Sequence, residues 1–280
     1  MFICLDAGNS RLKWGVWDNS WKEQGALTYS QSGQIASIQQ RWNNPPPQIV
    51  LLSFVNDDER LNKLLDIFGS WKNQKILKIV QSQQNYCGVT NLYKNPSQLG
   101  VDRWCALIGA WNKFHKAAIV VMAGTATTID ALDDKGNFLG GTIMPGIGLM
   151  KKSLAQDTAK LPYAKGIFAD VNFAQCTEDA IISGIIEAHL GAIQRAAAKL
   201  QNKLQNKNPD FANKKILTLI SGGNAKLLAK SLNASNKKNN GDFFMKTVDN
   251  LPLEGLRFIA EEQKKKIEGE AKSTFKLDSS

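Results

Sequence analysis

The chain opens on an apolar run, one carboxylate and a glycine turn, Phe2-Ile3-Cys4-Leu5-Asp6-Ala7-Gly8-Asn9-Ser10-Arg11-Leu12-Lys13. More than a hundred residues later the design recurs as Val120-Val121-Met122-Ala123-Gly124-Thr125-Ala126-Thr127-Thr128-Ile129-Asp130. Each stretch reads as an apolar strand, a tight turn and a second strand. Gly8 lets the backbone turn sharply and lets a ligand come close, while Asn9, Ser10, Arg11 and Lys13 offer donors suited to phosphate oxygens. Asp6 suits a Mg²⁺ that travels with those phosphates. The plainer reading of either stretch is a hairpin whose Asp, Asn and Gly are turn chemistry. Recurrence shifts the balance toward a duplicated domain with a nucleotide between its halves.

With 280 residues the chain can hold one large domain or two ordinary ones and bury a sizeable core. Its 43% hydrophobic and 21% charged residues exclude a disordered or fibrous class. The longest apolar run, near Ala117 to Gly124, is strand-sized, so no membrane span is expected. The N-terminus lacks a basic region followed by an apolar core and a cleavage site, which makes a cytoplasmic location the default expectation. Cys4, Cys87, Cys105 and Cys176 are scattered, and only His115 and His189 could assist them. That argues for reduced thiols and against zinc, leaving carboxylates and phosphates to hold any metal. A net charge of +10 raises the question of nucleic acid. The lysines, however, sit in Asn-rich, helical or terminal segments such as Lys237-Lys238 and Lys264-Lys265-Lys266, without a recognised module or interleaved aromatics. They read as a solvated surface and an attractive field for an anionic substrate, and a nucleic-acid partner is not expected.

Taken in order, a third strand near 25–29 completes a meander. A helix over 34–42 is stopped by Pro45-Pro46-Pro47, and a buried strand runs over 48–54. Asp57 or Asp58 caps a helix carrying Leu61, Leu64, Leu65 and Phe68, with Gly69 as its stop, and a strand follows over 75–80. The segment 83–100 reads as loop and holds Tyr93, by itself a packing residue. Gly100-Val101-Asp102-Arg103 opens a helix, where an Asp is ordinarily a cap. The same Asp could take a proton from an alcohol while Arg103 grips a carboxylate. Strands are expected over 116–122, 127–132 and 137–143, with Asp130 either facing phosphates or ending in solvent. Met144-Pro145-Gly146-Ile147-Gly148 turns into a helix whose N-terminus could receive an anion. Lys151 and Lys152 read as its solvated face. Thr177 reads as the cap of a long helix, and His189 on it reads as core or interface rather than ligand. A strand over 215–220 leads through Ser221-Gly222-Gly223 into a helix. An Asn/Lys-rich loop is expected over 232–242, an amphipathic helix over 251–267, and a polar tail at the end.

These motifs, in this order over roughly residues 1 to 260, resemble the type III pantothenate kinases of the acetate and sugar kinase, Hsp70 and actin superfamily. The resemblance implies an α/β protein of two ribonuclease-H-like, actin-like ATPase domains with a nucleotide cleft between them. We expect residues 1–114 and 115–265 as the domains and 266–280 as a tail. It implies ATP and Mg²⁺ held by Asp6, Ala7, Gly8, Asn9, Ser10, Arg11, Leu12, Lys13, Gly124 and Thr125, with Asp6 on the metal and Gly222-Gly223 at the adenosine. Tyr93, Gly100, Val101, Asp102, Arg103 and Thr177 are implied to hold pantothenate, with Asp102 as general base. Many relatives bind a monovalent cation through an Asp two residues before the second turn glycine. Met122 stands there in this chain, which puts a K⁺ or NH₄⁺ requirement in doubt. A homodimer is implied as well. The alternatives from other classes are a regulatory protein of the same fold acting in gene expression, and an ATPase without a small-molecule acceptor.

Overall fold

The computed structural model describes residues 1–55, 58–166, 173–211, 214–239 and 243–277, so Asp57 lies outside the described residues. The chain forms two compact units.

The first unit comprises Met1–Val89, Lys94–Lys113 and Pro252–Ser280. Strands β1 (Phe2–Ala7), β2 (Arg11–Trp17) and β3 (Trp21–Thr28) form the meander. Helix α1 (Ser32–Arg41) then leads to β4 (Ile49–Phe54), and α2 (Asp58–Ile67) with α3 (Gly69–Asn73) leads to β5 (Leu77–Ile79). The sheet order is β3-β2-β1-β4-β5, with β1 antiparallel to β2 and parallel to β4. All six residues of β1 are buried, so its run is apolar throughout rather than alternating, apart from Asp6. Gly69, expected to stop a helix, instead starts α3, and Trp71 on that short turn stacks on Phe68 inside the core. The 83–100 segment carries two short strands, β6 (Asn85–Tyr86) and β7 (Val89–Asn91), where loop was expected. Helix α4 (Val101–Phe114) follows.

The second unit comprises Thr90–Tyr93 and Phe114–Leu251. It contains β8 (Ala118–Ala123), β9 (Ala126–Leu132), β10 (Asn137–Pro145), α5 (Ile147–Gln156), α6 (Thr177–Lys207), β11 (Ile216–Ser221), α7 (Ala225–Asn239) and β12 (Phe243–Thr247). Its strands run β12-β11-β8-β9-β10-β7. Read from the meander, β10-β9-β8-β11-β12 repeats β3-β2-β1-β4-β5 in order and direction, which is the duplication the two hairpins implied.

Three C-terminal expectations need correction. The segment expected as loop from residue 232 is helical to Asn239, because Leu228, Ala229 and Leu232 continue one buried face into it, and β12 follows. Helix α8 (Leu251–Leu277) runs well past 267, through most of the expected tail. From Pro252 onward that helix belongs to the first unit, although the sequence reading put 251–265 in the second. Its Gly255 lies against the main chain of Cys105 on α4, closer than any side chain would allow.

Candidate active site

In the first unit the strand register builds the carboxylate. Asp6 on β1 is level with Lys13 on β2 and Ser53 on β4, so all three side chains leave the sheet on one face. Ser53 Oγ donates to Asp6 Oδ1 at 3.1 Å and Lys13 Nζ to Oδ2 at 3.3 Å. Asp6 is 2% exposed, a carboxylate held at the end of a core strand. One such group meets the usual demand of Mg²⁺, which takes one or two protein carboxylates and completes its shell with phosphates and water. The long 3.3 Å contact to half-exposed Lys13 is the one a cation would replace. Among the described residues no group of three or more His, Cys, Asp or Glu is placed to hold a metal by itself.

The turn beyond Asp6 is braced from two sides. Gly8 N–H donates to Arg11 O at 3.1 Å, the Tyr29 hydroxyl donates to Gly8 O at 2.6 Å, and Arg60 donates to Asn9 O at 2.9 Å. The turn's carbonyl lone pairs, which would repel a phosphate, are thereby occupied. Burial pushes the Tyr29 phenol up to about 12 against the opposing charge of Arg60, whose guanidinium lies 4.6 Å over the ring. Asn9, Ser10 and Arg11 stand exposed at the tip while Ala7 and Leu12 are buried beneath it. Sequence reasoning missed Ser53, Tyr29 and Arg60. Ser53 alone carried a signal, as a polar residue ending the apolar run of β4.

At the start of α4, Asp102 Oδ1 accepts the Arg103 backbone N–H at 2.8 Å. A Cβ on Gly100 would stand 2.8 Å from that same oxygen, so glycine leaves the room the carboxylate occupies. Val101 and Arg103 are buried, while Asp102 is half-exposed in the first turn, where the helix dipole favours its anion. Burial pushes the Cys105 thiol far up, and the charges of Asp6 and Asp102 add to it. Both carboxylates therefore act on one buried group of the same unit.

In the second unit three glycine segments pack backbone on backbone. Gly124 N–H donates to Ala126 O at 3.1 Å, Gly146 N–H to Thr125 O at 2.9 Å and Asn224 N–H to Ala123 O at 3.0 Å. A Cβ on Gly146 would lie 2.3 Å from Gly124 O, and one on Gly222, whose φ is +104°, 2.6 Å from Ala123 O. Only glycine fits at either place. The N-termini of α5 and α7 thus abut the exposed Gly124-Thr125 turn, and two helix dipoles favour an anion there. Behind it, buried His189 on α6 contacts Ile185 O at 2.7 Å through Nδ1 and Thr127 Oγ1 at 3.1 Å through Nε2, tying β9 to the helix. His189 is core, as expected.

Asp130 is 1% exposed, which rules out a solvated strand end. Lys151 is buried with Nζ on Gly166 O, not part of a solvated face. The N-cap of α6 is Cys176, so Thr177 is the first helical residue, exposed, and makes no side-chain cap. Tyr93 packs on Phe138 with ring centroids 5.1 Å apart. By register Met122 is level with Thr128 and Ser221, the counterpart of Asp6 level with Lys13 and Ser53. The second hairpin presents a thioether where the first has its carboxylate.

Solved structures with this architecture include a Campylobacter jejuni protein described as a Baf family transcriptional activator, with a TM-score of 0.54 and 23% identity over 94% of this chain and 99% of that one. Another is a Sinorhizobium meliloti protein described as a 2-dehydro-3-deoxygalactonokinase, with a TM-score of 0.51 and 11% identity over 92% and 97%. At such identities the likeness is one of fold, and the fold is that of the actin-like ATPases and sugar kinases. Residues 2–199 match the type III pantothenate kinase family. Proteins of that name from Dechloromonas aromatica and Nitrosospira multiformis are 44% and 36% identical, covering 93% and 96% of this chain and 99% and 94% of theirs. The chain belongs to the type III pantothenate kinases.

Proposed function

We propose that this chain transfers the γ-phosphoryl group of ATP to the primary alcohol of pantothenate, giving 4′-phosphopantothenate at the first step of coenzyme A formation. The observation that carries the reading is Asp102. It is a half-exposed carboxylate in the first turn of α4, beside a buried Arg103 and in the unit that holds Asp6. Asp102 accepts the proton of the attacking hydroxyl, and Arg103 grips the pantothenate carboxylate. Tyr93 and Thr177 complete the acceptor's contacts. The Asp6 to Lys13 turn and Gly124-Thr125 hold the phosphates, and Gly222-Gly223 lie against the adenosine. Mg²⁺ bound through Asp6 neutralises charge on the phosphates when present.

Met122 puts a thioether where the first hairpin has Asp6, so no carboxylate stands at that position for a monovalent cation, and turnover needs no potassium. The protein acts in the cytoplasm as a homodimer. Exposed Ile143 and Leu149, on consecutive elements of the second unit, are the apolar surface such an assembly would cover. The test is release of ADP by the purified chain with MgATP, with and without pantothenate. ADP and 4′-phosphopantothenate in equal amounts, only when pantothenate is present, support the kinase. ADP release indifferent to pantothenate supports an ATPase instead.

A further inference from the structure

The excess of positive charge is not spread over the chain. Between His189 and Gly241 there are ten Lys and Arg against Asp210 alone, which leaves 25 against 24 in the remainder. Within that stretch, Arg195, Lys199, Lys203 and Lys207 follow one another at every fourth position of α6, and all four are exposed. The opposite face of the same helix is buried through Ile193, Ala197, Leu200 and Leu204. Four cations therefore line one solvent face at intervals of about 6 Å over about 18 Å.

Like charges at that spacing destabilise a helix, whereas several other helix cations have a carboxylate partner. Lys63 pairs with Glu59, Lys264 with Glu268, and Arg257 with Glu254 and Glu261, each three or four residues away. No carboxylate stands three or four residues from the stripe within α6. The residues between the cations are Ala, Asn, Gln and Leu, with exposed Asn202, Gln205 and Asn206 as further donors. None of the large exposed apolar side chains of the described residues lies on this half of α6. A lipid surface would call for an apolar face to insert, and a protein partner for an aromatic anchor. The absence of aromatics likewise disfavours stacking of unpaired bases.

We propose that the C-terminal half of α6 is a docking stripe for the phosphate backbone of double-stranded nucleic acid, independent of base sequence. Four cations on four phosphates set a slope of log K against log salt of about −3.6, so affinity falls about a hundredfold between 50 and 200 mM salt.

The test is fluorescence anisotropy of a labelled mixed-sequence 20-base-pair duplex titrated with the full chain at several KCl concentrations. The expected result is micromolar binding at 50 mM KCl with that slope. In Lys199→Glu/Lys203→Glu the affinity drops at least tenfold and the slope loses about two units, while pantothenate-dependent ADP release is unchanged. If that variant fails to fold, Lys199→Gln/Lys203→Gln takes its place. A control with the same charge change, Lys63→Glu/Lys264→Glu, keeps its binding. Equal loss in the control would make net charge the cause and overturn the proposal. No binding at 50 mM KCl, or binding only to vesicles containing 30% phosphatidylserine, would overturn it too.

Discussion

Replacing Gly255 by Ala sets two opposed effects against each other. In a helix interior alanine is favoured over glycine by about 1 kcal/mol, so on propensity alone the change would stabilise α8. A Cβ there would meet Cys105 O at 1.8 Å and Cys105 C at 2.5 Å. Ordinary contact begins at 3.4 Å, so α8 and α4 must part by about 1.6 Å. The obstacle is main chain and cannot rotate aside, which puts the overpacking cost at the upper end, about 3 kcal/mol. The net is a loss of about 2 kcal/mol, or roughly 4–8 °C in Tm for a chain of this size. Cys105 is one helical turn from Asp102, so the displacement also reaches the proposed base. A shift of this size can cost about a hundredfold in turnover. Thermal unfolding and kcat at 20 °C measure the two effects. Gly191→Ala, at an exposed helical position with open space around it, is the control and should gain up to about 1 kcal/mol. A Gly255→Ala protein as stable and active as wild type would refute the close packing of α8 on α4.

Other consequences are as direct. Ser53→Ala removes the donor to the buried Asp6 Oδ1 and should cost about 1–3 kcal/mol and raise KM for MgATP, read by denaturant titration and initial rates. Burial pushes Glu254 up, but the hydrogen bond and charge of Lys113, with Trp21 and Arg257, bring it below its ordinary 4.5. A carboxylate lowered on folding adds stability above its unfolded value and loses it as the pH falls further. Wild type should therefore weaken more steeply than Glu254→Gln below about pH 4.5, as followed by circular dichroism. Replacing Na⁺ by K⁺ or NH₄⁺ should leave kcat within about twofold. A large activation would mean a cation site other than the one Met122 displaces.

The strand plan of both units was legible because β1 and β8 are buried runs ending in a glycine turn, a pattern local in sequence. Asp6 and Gly124 could be singled out for the same reason, whereas Asp102 read as an ordinary helix cap and took its role from the family resemblance. What binds them was not legible. Ser53 meets Asp6 only through the β1–β4 register, and Tyr29 and Arg60 brace the first turn from distant elements. Gly146 read as a turn glycine and Gly222 as part of the adenosine region, yet each fills a space fixed by the carbonyls of Gly124 or Ala123. The extra turns of α7 and α8 were hidden by Lys, Asn and Glu, residues that solvated helix and loop use alike.

The central claim is that Asp102 removes the proton from the pantothenate hydroxyl. Its direct test is the rate of 4′-phosphopantothenate formation by wild type and Asp102→Asn at saturating MgATP, with pantothenate binding measured separately by calorimetry. The account predicts a fall in kcat of about 10²–10⁴-fold, with pantothenate affinity changed little. An Asp102→Asn protein that turns over at the wild-type rate would contradict it.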